Sequence, residues 1–358
     1  MVARMMDVEN PCSGKENWLA SSDTRGGTPG TKNSVSKAVT DTRIFDWDKL
    51  DLPNDSTVRI YFTKSFNPHT LTTGLFEVDN GKGAPTSITV DQLQYRYIDL
   101  IFSKPFSALT QYHLEVSATI ESCSGQSIGK ELNFTFRLPE PLTAGDIIIN
   151  EIMFDPAGEA PEYVELYNNS EKYIRSHDLK LSYRTADGKY ENWFQPESGS
   201  FLISPGYFLV LTKYKDSFGE YYPVPDLRCV IASVSFPVLS DEAGCFATMD
   251  KSLQTMDEFC YTKKYHFPLL ADPSGVSLER IRYNEPAADP TNWHSASSTS
   301  GFATPGERNS QYLESKDTGN EITLEYEIFS PDNDGYKDMA TLHYNLDQPG
   351  YVATIIVF

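Results

Sequence analysis

Thr57-Val58-Arg59-Ile60-Tyr61-Phe62 and Ile98-Asp99-Leu100-Ile101-Phe102 set apolar side chains at every second position. In an extended chain this period of two puts Val58, Ile60 and Phe62 on one face and Arg59 and Tyr61 on the other. The same alternation returns in Tyr112, Leu114 and Val116, and again in Leu132, Phe134 and Phe136. Turn-forming residues divide the runs, among them Asn80-Gly81-Lys82-Gly83 and Ser124-Gly125. Short half-buried strands between turns predict a β-sandwich over residues 40–138.

The rest of the chain agrees with an all-β class. Its 358 residues are long enough for two or three domains, and 22 Pro, 22 Gly, 21 Tyr and 20 Phe describe many turns and many strand-favouring side chains. Fewer than about one residue in ten is expected to be helical, and parallel sheets with helical crossovers are not expected. A net charge of −20 disfavours nucleic acid and anionic lipid, and basic runs reach only pairs such as Lys263-Lys264. No stretch approaches the roughly 20 apolar residues of a membrane span, and Met1-Val2-Ala3-Arg4-Met5-Met6-Asp7 lacks the apolar core of a signal peptide.

A repeat bears on that last point. Asn17-Trp18-Leu19-Ala20-Ser21-Ser22-Asp23-Thr24, followed by Thr28-Pro29-Gly30-Thr31-Lys32-Asn33-Ser34, returns as Asn292-Trp293-His294-Ser295-Ala296-Ser297-Ser298-Thr299, followed by Thr304-Pro305-Gly306-Glu307-Arg308-Asn309-Ser310. Trp, Thr-Pro-Gly and Asn-Ser at near-identical spacing imply common descent. The second copy closes a long module. Residues 1–34 are therefore expected to be the end of an equivalent module, with any export signal outside this sequence.

Three family resemblances follow from quoted stretches. Val58 to Phe66, Ile98 to Phe106 and Tyr112 to Val116 resemble the bacterial Ig-like domain of surface-layer proteins (Big-5, or SbsA type), with Ser65-Phe66 where that family has Pro-Leu. Asp146 to Pro156, Glu162 to Asn168, Leu202 to Leu211, Gly275 to Ile281 and the repeat block resemble the lamin-tail domain over 146–310, in that family's order. Phe329-Ser330-Pro331-Asp332-Asn333-Asp334-Gly335, then Ala340 to Tyr344 and Val352 to Phe358, resembles the opening of a FlgD-type Ig-like domain. The implied organisation is a lamin-tail remnant at 1–34, a bacterial Ig-like domain at 40–138, a proline-stiffened linker at 139–145, a lamin-tail domain at 146–310, a linker at 311–325 and a truncated module at 326–358. The lamin-tail resemblance implies a binding or structural role and supplies no catalytic residue.

The residues themselves offer little chemistry. His69, His113, His177, His266, His294 and His343 stand apart, without the His-x-His or His-Glu-x-x-His spacing of a metal site. His113 is expected to face solvent. Glu151, Asp155, Glu159, Glu162 and Glu165 are read as a solvated acidic edge, and the odd spacing of Glu162 and Glu165 sends them to opposite faces of a strand. Phosphate-binding Gly-x-x-x-x-Gly-Lys loops are missing. Trp47, Trp193, Tyr221 and Tyr222 are read chiefly as core residues, with sugar stacking as the functional alternative. Cys229, Cys245 and Cys260 fall in one module and could include one disulfide or remain buried thiols.

Asp332, Asp334 and Asp338, with Gly335 for a sharp turn, are the metal candidates, for a calcium ion, although the twelfth-position Glu of an EF-hand loop is missing. Apart from this possible Ca²⁺, no cofactor is implied. The expectation is a non-enzymatic array of β-sandwich modules in a secreted or cell-surface bacterial protein, with protein or glycan partners. The competing expectation is the accessory region of a secreted nuclease or protease whose catalytic domain lies elsewhere.

Overall fold

The computed structural model describes residues 2–4, 18–36, 44–184, 190–194 and 199–313 apart from 234, 269 and 271, and, beyond them, 321–324, 330, 340–346, 352 and 354. Near the N-terminus β1 (Val2–Arg4) pairs antiparallel with β2 (Trp18–Ala20). The first module contains β3 (Trp47–Asn54), β4 (Thr57–Phe62), β5 (Phe76–Val78), β6 (Ser87–Val90), β7 (Tyr97–Ile101), β8 (Tyr112–Val116) and β9 (Leu132–Phe136). They form two antiparallel sheets, β3-β4-β7-β6 and β5-β8-β9. Val58, Ile60, Ile98 and Leu100 from the first meet Leu114, Val116, Phe134 and Phe136 from the second in one core. In β8 and β9 burial alternates strictly, as the period of two demands, and His113 points to solvent.

The second module runs through β10 (Ile147–Met153), β11 (Tyr163–Asn168), β12 (Ile174–Arg175), β13 (Lys180–Arg184), β14 (Tyr190–Phe194), β15 (Leu202–Ile203) and β16 (Phe208–Thr212), then α1 (Lys215–Tyr221), then β17 (Val230–Ala232), β18 (Ala243–Met249), β19 (Thr255–Thr262), β20 (Leu278–Arg280) and β21 (Trp293–Ser295). A six-stranded sheet, β17-β16-β11-β10-β20-β21, faces a four-stranded sheet, β14-β13-β18-β19. Ile147, Ile149, Ile152, Val164 and Leu166 of the larger sheet pack on Leu181, Phe246 and Phe259 of the smaller.

Two features depart from the sequence reading. β16 and β17 pair in parallel, joined by α1, where no parallel pairing across a helix was expected. The crossover stays because Phe218 of α1 is buried against Met153, Tyr163 and Val210 on the outer face of the sheet. The stretch read as the linker 311–325 contains β22 (Glu321–Leu324), which pairs antiparallel with β23 (Leu342–Asn345). The cysteines are resolved as well: Cys245 and Cys260, directly opposite on β18 and β19, form a disulfide, and Cys229 is a buried free thiol.

The modules are docked on one another. Tyr173 and Leu202 of the second module join the core of the first. Arg175 donates to the Leu52 carbonyl, and the buried Lys49 ammonium donates to the Arg228 carbonyl and to Asp48 Oδ1 at 3.2 Å. The Arg228 guanidinium lies 4.1 Å from the Trp47 ring centre. Within the linker, Glu140 N–H donates to the Tyr173 carbonyl at 2.8 Å.

A buried carboxyl row and its cover

Along β10 the pairing with β11 shifts between Ile149 and Glu151, so Asn150 is an extra residue in that strand. Ile149 points into the sandwich core before the bulge and Ile152 after it. Asn150 and Glu151 are thereby both turned to the outer face. Beyond the bulge Glu151 stands directly opposite Glu165 on β11 and Glu279 on β20. Cross-strand neighbours of this kind have Cβ atoms roughly 5 Å apart. Three carboxyls thus lie side by side across three strands, each 0% exposed.

This corrects the expectation of a solvated acidic edge. Glu159 is exposed and Asp155 half-buried, whereas Glu151 and Glu165 are interior. The opposite facing of Glu162 and Glu165 holds: Glu162 lies across the strand, accepting from Leu239 N–H at 3.2 Å. Burial pushes the Glu162 carboxyl up to about 7.

The row is satisfied by donors. Glu151 Oε1 accepts from Tyr163 Oη at 2.6 Å, Ser277 Oγ at 2.5 Å and Thr304 N–H at 3.0 Å. Glu165 accepts from Asn150 Nδ2 at 2.7 Å and Gly306 N–H at 2.5 Å. Glu279 accepts from Thr304 Oγ1 at 2.7 Å, Ser310 Oγ at 2.8 Å and Gln311 N–H at 2.8 Å. Asn309 clamps the bulge from above, donating to the Asn150 and Arg280 carbonyls at 2.9 Å each. Among the described residues no cation forms an ion pair with any of the three carboxyls.

Adjacent carboxyls removed from water without a counter-cation resist ionisation. Burial first, then a neighbouring carboxylate, raises Glu151 to about 7 and Glu165 well above the ordinary range, while burial raises Glu279. Thr304 Oγ1 lies 2.7 Å from Glu279 and 3.3 Å from Glu151 Oε2, with one proton to give. Donated to the nearer Glu279, it leaves the hydroxyl lone pair to accept from a protonated Glu151. The row therefore favours the protonated acids and works as a hydrogen-bonded brace.

Every donor that comes from residues 304–311 belongs to, or adjoins, the repeat block. The first copy adopts the same local conformation. Ser22 N–H donates to Ser34 Oγ at 3.0 Å, and Ser297 N–H to Ser310 Oγ at 2.8 Å. Thr31 N–H donates to the Thr28 carbonyl at 3.2 Å, and Glu307 N–H to the Thr304 carbonyl at 3.1 Å. Gly26 and Gly30 have φ of 82° and 76°, matched by 71° and 84° at Gly301 and Gly306, values that disfavour any side chain.

His266 Nδ1 meets Ser295 Oγ at 2.9 Å, but both residues are buried, and burial pushes the imidazole down to about 4. Cys245, Glu258 and Cys260 lie together, yet the disulfide removes the thiolates that a metal would need. An open cavity of about 230 Å³ beside the linker holds Glu140, Arg175, Asp178 and Lys251, with no nucleophile beside a base. Trp47 lies at the junction and Tyr222 in a core, while Tyr221 is 43% exposed. The calcium candidates Asp332, Asp334 and Asp338, and the Trp193 side chain, lie outside the described residues. Sequence reasoning missed Glu279 and the bulge at Asn150. The repeated Thr-Pro-Gly and Asn-Ser were the available signal, because two copies of a polar block imply a shared polar counterpart.

Residues 47–138 match the family described as bacterial Ig-like domain, Big_5. No curated protein matches the chain. Among solved structures, "Crystal structure of the N-terminal part of the bacterial S-layer protein SbsC" is similar at 12% identity and a TM-score of 0.23, over 60% of this chain and 43% of that one. "Structure of surface layer protein SbsC, domains 1-6" is similar at 11% identity and a TM-score of 0.24, over 62% of this chain and 41% of that one. Both chains are thus more than twice as long as the part that is matched, and likeness this loose fixes neither fold nor role.

Proposed function

We propose that this chain is a non-catalytic, load-carrying pair of β-sandwich modules in a bacterial cell-surface or secreted protein, whose exposed loops meet protein or glycan partners. The observation that carries the reading is the use made of the reactive side chains. The carboxyl row and the Ser295–His266 pair are consumed by internal hydrogen bonds, out of solvent reach. The Big_5 match at residues 47–138 supports the bacterial surface setting. Docking of the two modules through Tyr173, Leu202, Arg175 and Lys49 suits a stiff spacer better than a hinge around a cleft.

The test is placement together with activity. Antibody to residues 44–313 should label intact cells, or the culture medium, before lysis. The purified chain should hydrolyse neither peptide, polysaccharide nor nucleic acid. Labelling confined to lysed cells would overturn the surface assignment, and turnover lost on changing Ser295 or His266 would overturn the non-catalytic one.

A further inference from the structure

We infer that residues 18–34 form a second carboxyl-reading cover, an interaction surface for a β-sheet other than β10, β11 and β20 that carries three acidic side chains side by side on adjacent strands. The inference rests on the geometry of the two repeat copies, independently of the surface role proposed above.

In the second copy the block's polar atoms are seen engaged. Thr304 Oγ1, Gly306 N–H and Ser310 Oγ reach Glu279 and Glu165, with Thr304 N–H on Glu151. The first copy keeps the side chains and backbone turns that aim these atoms: Thr28, Gly30 and Ser34, held by the Ser22 to Ser34 bond and the left-handed glycines. A row of donors fixed in a rigid turn is specific for acceptors at the same spacing. Thr28 Oγ1, the counterpart of Thr304 Oγ1, is buried and has no hydrogen-bond partner among the described residues. A buried hydroxyl left unpaired costs free energy that a docked carboxyl would return. Among the described residues Ser34 Oγ meets small hydroxyl and amide partners, Ser21 and Ser22, where Ser310 meets Glu279. This chain's own row is already closed by residues 304–311 and competes intramolecularly for its cover, so the partner sheet is a separate one.

The test uses the full chain. In one variant residues 303–311 are replaced by a Gly/Ser stretch of equal length, which bares the row. In a second, residues 293–310 are replaced by the sequence of 18–34. The bared chain should associate head to tail, in sedimentation, with wild-type chain, and Thr28→Val with Ser34→Ala in the wild-type partner should abolish the association. The grafted chain should melt close to wild type. A bared chain that folds and stays monomeric beside wild type would overturn the inference. If the bared chain does not fold, the graft decides: rescue supports it, and a loss equal to that of the Gly/Ser variant overturns it.

Discussion

Glu151, Glu165 and Glu279 are held by protons as much as by packing, and their titration sets a direction for stability. Each has a folded pKa raised above the unfolded value of 4.5. A carboxyl of that kind contributes stability in full below the unfolded pKa, and the contribution is lost as pH rises through the folded one, about 7 for Glu151. Melting temperature should therefore fall as pH rises from about 4.5 to about 7 through Glu151, and go on falling above that through Glu165. Glu151→Gln keeps the acceptor facing Tyr163 and Ser277 and offers an amide proton to Thr304, so it mimics the protonated acid. Its melting curve should lose the part of this slope between about pH 4.5 and about pH 7; an unchanged slope there would place the titration elsewhere. Asn309→Ala removes both carbonyl contacts over the bulge and should cost about 3 kcal/mol in urea unfolding. Gly244→Ala should be at least as damaging, because its Cβ would strike the Tyr183 ring, which is fixed by hydrogen bonds to Tyr261 Oη and Ser240 N–H.

Elements differ in how much of themselves they declare. β4, β7, β8 and β9 were legible because each has one wet face, so composition follows geometry residue by residue. β10 is buried along its whole length, and the bulge at Asn150 breaks the period of two, so neither face can be read from the pattern. Its acidic residues looked solvent-bound because the cover that buries them lies more than 150 residues away in the chain, as the separation of 153 between Glu151 and Thr304 shows. β3 was missed for a related reason: Lys49 and Asp51 are buried against the second module, which disguises a strand as polar chain. The parallel pairing of β17 depends on the docking of α1 and has no signature in a three-residue strand. The bond between β18 and β19 was one of several options in the sequence, and pairing of the strands settles it. Its loop spans 15 residues, already closed in part by the hairpin, so Cys245→Ser with Cys260→Ser should cost about 1 to 3 kcal/mol. A cost near zero in the oxidised protein would mean that strand pairing alone orders the hairpin.

At the scale of the whole molecule the question is whether the modules unfold as one. The core of the first module contains Tyr173 and Leu202, contributed by strand β15 and the turn before β12 in the second. Arg175 reaches the backbone of β3 from the same side, so apolar and polar contacts act on one strand. A side chain lent across a junction transmits strain in both directions, because a void on the borrowed side cannot be filled from within either module. Leu202→Ala should therefore cost about 2 to 3 kcal/mol and show itself in the module that does not contain it. Amide exchange in β3, at Leu50 and Leu52, should quicken along with exchange in β15, and proteolysis in the linker 139–145 should begin earlier. Leu93→Ala, at a side chain 86% exposed in the first module, should change none of these rates. If Leu202→Ala quickens exchange in β15 and leaves β3 protected as in wild type, the modules are mechanically separate and the stiff-spacer reading fails with that result.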